Sequence, residues 1–104
     1  MDARRKKRLE SRGWKVGTVE ELFGLTAEDV RYIELRRALS ENVREQRKKK
    51  RLTQSRLAKM LESSQSRVAK MEAGDPSVSL DLMIRSLLAM GSTRKDLARI
   101  IDAR

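Results

Sequence analysis

The stretch from Thr53 to Gly74 constrains the fold of this chain more than any other part of the sequence. It reads TQSRLAKMLESSQSRVAKMEAG and contains two short amphipathic helical patterns, separated by a polar break at Glu62 and Ser63. Each pattern follows a hydroxyl residue, Thr53 or Ser64, of the kind that caps helix N-termini. Two short helices joined by such a break are the sequence form of a helix-turn-helix.

The inner faces of these two helices are expected to form core rather than a site. Leu57, Ala58 and Leu61 belong to the first pattern, and Val68 and Met71 to the second, at the spacing of packed helices. Ala58 is small enough to let two helices cross closely over a short turn.

Helix start and stop signals also recur on both sides of this stretch. Thr26 with Asp29 begins a long pattern that is expected to end near Lys49, and Ser79 and Thr93 begin two later helices. The apolar stripes of these three helices are Val30, Ile33, Leu35, Leu39 and Val43; Leu80, Met83, Ile84, Leu87 and Leu88; and Leu97, Ile100 and Ile101. A short helix is also expected in TVEELFG, near the N-terminus. Because no alternating strand pattern competes, the sequence predicts an all-α protein with five helices and this short sixth.

The charge balance points to an anionic partner. Twenty-five Lys and Arg face 15 Asp and Glu, which gives a net charge of +10 and a pI near 10.7. Nucleic acid is the first candidate, and a merely basic soluble protein is the alternative. A basic run precedes the two-helix stretch, and it is expected either to contact phosphates or to form a solvated helix end: Arg44, Arg47, Lys48, Lys49, Lys50 and Arg51.

The composition excludes several classes of function. The chain has no Cys and no His, so we expect no metal site, no cofactor and no catalytic triad, and therefore no enzyme. Its longest uncharged apolar run, SLLAM, is far too short to cross a bilayer, and no secretory signal is seen. We expect a soluble, cytoplasmic protein that does not bind membranes.

Residues 1–15 form a basic arm with few apolar residues. Such an arm either tracks phosphates or enters a minor groove, or it is a solvated tail. RNA binding through the arm is a weaker alternative, because the aromatic residues available for stacking are only Trp14, Phe23 and Tyr32.

From Leu39 to about Leu88 the sequence resembles the XRE family of helix-turn-helix proteins, the group of the lambdoid phage repressors and Cro. The matching residues are Leu52-Thr53-Gln54, Leu57-Ala58, Ser64-Gln65-Ser66-Arg67-Val68, Glu72-Ala73-Gly74 and Ser79-Leu80. The resemblance implies a five-helix, lambda-repressor-like DNA-binding domain, which we expect to span residues 26–104, after an arm and leader at residues 1–25.

The resemblance also implies roles for single residues. Gln65 and Arg67 are expected to read bases, Gln65 by pairing with adenine and Arg67 with guanine. The full set of expected base contacts is Gln65, Ser66, Arg67 and Lys70, and that of backbone contacts is Gln54, Thr53, Ser64, Lys48, Lys49, Lys50 and Arg51. Gln54 is expected to buttress Gln65, and Arg47 to pair with Glu72 as a structural salt bridge.

Two residues depart from the family pattern. Arg51 stands before the Leu-Thr-Gln triplet, and Glu62 stands at the end of the first motif helix, where the family usually has Gly. Non-Gly residues in a left-handed conformation cost roughly 1 kcal/mol. Either the two turns differ slightly from the family's or the strain is tolerated.

The upstream segment WKVGTVEELFGLTAEDVRYIELRRAL resembles the leader of HigA-type antitoxins, which bind RelE/HigB-like ribonuclease toxins. By that analogy Trp14, Val16 and Phe23 are expected to contact a toxin, although Trp14 and Phe23 could instead staple the leader to the core. The expected function is a sequence-specific repressor that autoregulates a toxin–antitoxin operon. A phage-style or chromosomal regulator without a toxin, and a protein-interaction scaffold with weak DNA binding, are the alternatives.

Operators of this family are usually palindromic, so a homodimer is expected on double-stranded DNA. Leu97, Ile100 and Ile101, together with Met90, are the candidate dimer interface. Packing of these residues within one chain is the alternative.

Overall fold

A computed structural model describes residues 22–103, and those residues form five α-helices and no strand. The helices are α1 (Ala27–Lys49), α2 (Gln54–Met60), α3 (Gln65–Glu72), α4 (Leu80–Ala89) and α5 (Arg94–Asp102). The all-α prediction is confirmed. The basic arm and residues 18–21 of the predicted TVEELFG helix lie outside the described residues, and Leu22 and Phe23 near the end of that segment are helical. The chain divides into two units between Glu34 and Leu35, and the buried core and the helix-turn-helix both belong to the second unit.

All five helices begin with the hydroxyl caps that the sequence predicts. The Thr53 side chain accepts a hydrogen bond from the amide of Arg56, and the Ser64 side chain accepts one from the amide of Arg67. Ser79 caps α4 in the same way, and reciprocal capping boxes join Thr26 to Asp29 and Thr93 to Asp96. Because each cap satisfies an amide that lacks a helical partner, helices as short as α2 and α3 have defined starts.

Four helices end in the same hydrogen-bonded motif. After α2, the amide of Glu62 bonds to the carbonyl of Lys59 and the amide of Ser63 to that of Ala58, which is a Schellman turn. The same pair of bonds follows α1, α3 and α4. The residue in the left-handed position is Arg51, Glu62, Gly74 or Gly91, with φ of 57°, 53°, 79° or 100°. Of the two alternatives that the sequence leaves open for Arg51 and Glu62, the structure therefore shows tolerated strain.

One core draws on α1 to α4 and on the loop before α4. Its buried members are Leu39, Val43, Leu57, Ala58, Val68, Met71, Val78, Met83, Leu87 and Met90. Ala58 is almost fully buried in the helix-turn-helix, as its small size predicts. Leu35, Leu61, Leu80, Leu97 and Ile100 are partly buried against this core.

Three apolar residues lie elsewhere than the sequence stripes predict. Ile33 is half exposed, because six residues of helix rotate it about 120° away from Leu39. Leu88 is nearly half exposed at the edge of the apolar arc of α4. Met90, expected at a dimer surface, is buried in the core; the i, i+4, i+7 spacing of Met83, Leu87 and Met90 puts all three on one face.

Two kinds of buried residue were not predicted. Val78 belongs to the loop before α4, where no helical period marks it as core. Ser40 and Ser86 are buried in the middle of helices. Ser86 donates its hydroxyl hydrogen to the carbonyl of Leu82 at 2.7 Å, which satisfies the polar atom inside an apolar core.

The strain at Glu62 gives a stability prediction. Replacing Glu62 by Gly removes the Cβ that makes φ of 53° costly in the folded state. Glycine also raises the conformational entropy of the unfolded chain, which offsets part of this gain in stability. We expect Glu62→Gly to raise the free energy of unfolding by roughly 0.5–1 kcal/mol in urea titrations.

Ala73→Gly is the matched control. Ala73 ends α3 with φ of −81°, in the right-handed region, so glycine there relieves no strain and should destabilise. A Glu62→Gly variant less stable than the parent chain would contradict the assignment of strain to this turn.

Candidate nucleic-acid interface

The first turns of α3 present polar side chains to solvent. Gln65, Ser66, Arg67 and Lys70 are all exposed, whereas Val68 and Met71 on the opposite face are fully buried. The buried face holds the helix against the core, so the exposed face has a fixed orientation. Its amide, hydroxyl and cationic groups are of the kinds that hydrogen-bond to base edges and phosphates.

Beneath this face, Arg47 of α1 and Glu72 of α3 form a bidentate ion pair. Nε of Arg47 lies 2.5 Å from Oε2 of Glu72, and Nη2 lies 2.9 Å from Oε1. The remaining guanidinium nitrogen, Nη1, donates to the carbonyl of Leu52 at 2.8 Å. One arginine side chain thus joins the last turn of α1, the entry to α2 and the end of α3.

This ion pair is largely removed from water. The side chains of Arg47 and Glu72 are only 13% and 4% exposed. The hydrogen bond from Arg47 to Glu72 raises the pKa of the guanidinium above its usual value, against the opposing effect of burial. An ion pair in such surroundings keeps its geometry because neither partner has water to turn to.

Two glutamine side chains extend the ion pair outward to the surface. Nε2 of Gln54 donates to Oε1 of Glu72 at 3.2 Å, and Nε2 of Gln65 donates to Oε1 of Gln54 at 2.7 Å. We call the three side chains of Glu72, Gln54 and Gln65 the amide relay. The predicted Gln54–Gln65 contact is present, and the link from Gln54 back to Glu72 was not foreseen.

The amide relay fixes where the Gln65 side chain lies before any ligand arrives. Gln65 is exposed, yet its amide is tied through Gln54 to a buried carboxylate. Within residues 22–103, no buried side-chain nitrogen or oxygen lacks a hydrogen-bond partner, so the buried end of the relay is satisfied. A pre-oriented side chain loses less entropy on binding than a free one.

Arg36 holds the loop between α3 and α4, a role that was not predicted. Its Nη2 donates to the carbonyls of Asp75 and Val78, at 3.2 Å and 2.5 Å. The loop is also closed by Asp75, which accepts from the amide of Ser77 at 2.8 Å, and hydrogen bonds from Ser77 lower the pKa of Asp75. Only the position of Arg36, three residues before the buried Leu39, signalled an inward role.

The hydroxyl groups that cap α2 and α3 differ in whether their hydrogen is available to a ligand. Thr53 and Ser64 are exposed, and each hydroxyl oxygen accepts an amide hydrogen bond. The hydroxyl hydrogen of Thr53 remains available to a phosphate, as hydroxyls both donate and accept. The Ser64 hydroxyl lies 3.2 Å from that of Ser66, so these two form a pair of which one member donates to the other.

The basic run at the end of α1 separates onto two sides of the helix. Lys49 lines a surface hollow together with Gln46 and Asp96, beside α5. Nζ of Lys50 lies near Gly91, at the end of α4. Helical spacing places Lys48 on the other side from Gln46 and Lys49.

The residues predicted to contact a second copy or a toxin differ in how far they are exposed. Leu97 and Ile100 pack partly against the core of their own chain, whereas Ile101 is 52% exposed. Among the predicted toxin contacts, Phe23 is 67% exposed, and Trp14 and Val16 lie outside the described residues.

The described part of the chain offers no group of three or more acidic residues arranged to hold a metal ion. Within the same residues, none of the helices combines the length and the apolar character that a membrane span requires.

Comparison with protein families gives one match. A family model described as helix-turn-helix matches residues 43–97, slightly more than half of the chain. The matched range contains α2, α3 and α4 entirely, together with Arg47 and the amide relay. No curated protein and no solved structure matches the chain.

The buried ion pair gives a second stability prediction. Arg47→Met leaves the Glu72 carboxylate buried without its cation, so we expect a loss of roughly 3 kcal/mol in the free energy of unfolding, measured by urea titration at low temperature. Arg37→Met is the control on the same helix, because the Arg37–Glu41 pair is exposed and should contribute less than about 1 kcal/mol. Equal losses in the two variants would show that the Arg47–Glu72 pair is not a brace.

Proposed function

This chain belongs to the helix-turn-helix family of the XRE type, whose members are DNA-binding regulators rather than enzymes, and from that premise we propose that it is a sequence-specific transcriptional repressor. The observation that carries the proposal is the amide relay, which holds the exposed Gln65 in one place at the start of α3. Base reading requires such fixed donors and acceptors, whereas non-specific binding requires only charge.

In this proposal α3 enters the major groove with its first turn. Gln65 pairs with adenine and Arg67 with guanine, since an amide and a guanidinium match the edges of those bases. Ser66 and Lys70 are exposed on the same helix and complete the base-facing set. The buried Val68 and Met71 hold the helix from behind, so the readers do not move independently.

The proposed phosphate contacts lie at the edges of this face. Thr53 and Ser64 start α2 and α3, where exposed amides and the positive end of the helix dipole favour a phosphate. Gln54 is the first residue of α2 and is partly buried. Lys48 is exposed on the side of α1 away from α5. Lys49 and Lys50 are less well supported in this role, because Lys49 borders a hollow beside α5 and Lys50 lies near Gly91.

Arg51 is the best supported of the basic contacts. It holds a left-handed conformation that glycine would adopt without cost, and it is exposed. A strained residue that the fold does not need suggests a role outside the fold. A guanidinium directed to a phosphate supplies such a role.

A variant of Gln65 tests the base-reading proposal. The operator is first selected from a random duplex library with the parent chain, and binding of Gln65→Ala is then titrated on the selected duplex and on an unrelated duplex. We expect a loss of about 1–3 kcal/mol on the selected duplex and almost none on the unrelated one.

Arg85→Ala is the matched control, because Arg85 is exposed on α4 and pairs with Asp81 in the same helix. It removes one positive charge without touching the proposed interface, and it should leave the preference for the selected duplex intact. If Gln65→Ala lowers the affinity equally for all sequences, Gln65 does not read a base, and the protein binds DNA through its phosphates alone.

The finer proposal is that the repressor is the antitoxin of a type II toxin–antitoxin pair and acts in the cytoplasm on its own operon. It is supported by the leader-like segment at residues 14–39 and by the exposure of Phe23, which leaves that aromatic ring available to a partner. In this proposal the division of the chain is functional, with residues 1–25 for the partner and residues 26–104 for DNA.

A homodimer on a palindromic operator is also proposed, with recognition helices about 34 Å apart in successive major grooves. Ile101 is the residue that supports it most, because more than half of its side chain is exposed at the end of α5. Leu97 and Ile100 can contact a second copy only through the exposed part of their side chains, since they also pack against the core of their own chain.

Both assembly proposals are tested by chromatography with light scattering. Alone at micromolar concentration, the chain should elute with the mass of two copies, and Ile101→Asp should shift it toward one. Co-expressed with the product of the adjacent reading frame, it should copurify with a small basic protein, and Phe23→Ala should weaken that complex. A monomer alone, with no partner retained, would remove both proposals and leave a monomeric regulator without a toxin.

A further inference from the structure

Glu72 stands at the inner end of the amide relay and has no exposed atom group of its own to offer a ligand. Its side chain is 4% exposed, behind Gln54, and Gln54 in turn lies behind Gln65. The carboxylate is therefore two hydrogen bonds away from the surface. Its effect on anything bound there must pass through the two amides.

The chemistry of the relay gives it a direction. A carboxylate only accepts hydrogen bonds, so Gln54 must turn its NH2 group toward Glu72. Gln54 then has only its carbonyl oxygen for Gln65, and Gln65 must donate its own NH2 group in return. The carboxylate of Glu72 thus decides which atom of Gln65 points outward.

With this direction, the outer edge of Gln65 carries one acceptor and one donor. Its Oε1 is not used within the relay, and one hydrogen of Nε2 remains after the bond to Gln54. Adenine presents the complementary pair in the major groove, the N6 amino group and N7. Guanine presents two acceptors, O6 and N7, which this edge does not match.

We propose that Glu72 is a specificity-determining residue that never touches DNA: by fixing the direction of the amide relay, it makes Gln65 prefer adenine to guanine. The proposal rests on the proposed function, because it assumes that Gln65 faces a base. It adds that the preference is set from inside the fold by a positioning residue.

Glu72→Gln is the variant that reverses the relay. The new amide faces Arg47 Nε at 2.5 Å on the Oε2 side and Arg47 Nη2 at 2.9 Å on the Oε1 side, and both partners are donors. The shorter contact tolerates an N–H group least, so the new oxygen takes the Oε2 side and the new NH2 group faces Gln54. Gln54 and Gln65 then both turn over: Gln65 accepts from Gln54 through one lone pair of Oε1 and turns its NH2 group, with both hydrogens unused, toward the base. Two donors fit the two acceptors of guanine.

The test uses the duplex that the parent chain selects from a random library, at the base pair where Gln65→Ala loses the preference. Affinities for adenine and for guanine at that position are compared between the parent and Glu72→Gln. We expect the ratio of adenine to guanine affinity to fall about tenfold or more, with preferences at other positions unchanged. Arg85→Ala is the control, because Arg85 is exposed on α4 outside the proposed interface, and it should leave the ratio unchanged.

Base analogues placed in the selected duplex and titrated with the parent chain keep the test decisive if Glu72→Gln does not fold. Purine lacks the N6 amino group and 7-deazaadenine lacks N7, so each should lower the affinity of the parent chain by about tenfold. If removal of the amino group has no effect, Gln65 does not offer an acceptor and the proposal is overturned. It is also overturned if a folded Glu72→Gln lowers affinity without changing the ratio. Failure of the library to yield any selected sequence would instead contradict the proposed function.

Discussion

The ion pair between Arg47 and Glu72 is the interaction on which the rest of the interface depends. It joins the end of α1 to the end of α3, and its third arm reaches the carbonyl of Leu52 at the entry to α2. A helix of eight residues is too short to be stable alone. Because Val68 and Met71 anchor only one face of α3, the ion pair supplies a second, directional attachment that stops the helix from turning about its axis.

Burial makes this attachment both strong and selective. In water an ion pair of this kind contributes little, since each partner is solvated and the side chains are free to separate. Here the two charges lie behind the motif, where loss of one partner is costly and alternative geometries have no water to support them. The same burial orders the amide relay, because Gln54 donates to the Glu72 carboxylate, which is held in place by Arg47. The protein thus carries basic side chains on its surface and a fixed ion pair beneath the residues proposed to read bases.

Much of the fold follows from local rules that a single sequence displays. The hydroxyl caps, the breaks at Glu62 and Gly74 and the inner faces of α2 and α3 depend on neighbouring residues, and the sequence indicates them directly. The Arg47–Glu72 pair was expected only through a family resemblance, since the two residues are far apart in the chain. Val78 and the clamp from Arg36 were missed because a loop has no period and its contacts are non-local. The burial of Met90 follows from its spacing to Met83 and Leu87, a signal that its place after the last turn of α4 obscures.

Side-chain amide NMR of the DNA-free protein would show whether the fold orients Gln65 before DNA arrives. We predict that the Nε2 protons of Gln65 give a resolved pair of signals with nuclear Overhauser contacts to the side chain of Gln54, because the amide relay holds the two amides together. Arg85→Ala should preserve these signals, since Arg85 pairs with Asp81 on α4 and does not contact the relay. A Gln65 amide with random-coil shifts and no contact to Gln54 would contradict the pre-orientation on which base reading by this helix is proposed to depend.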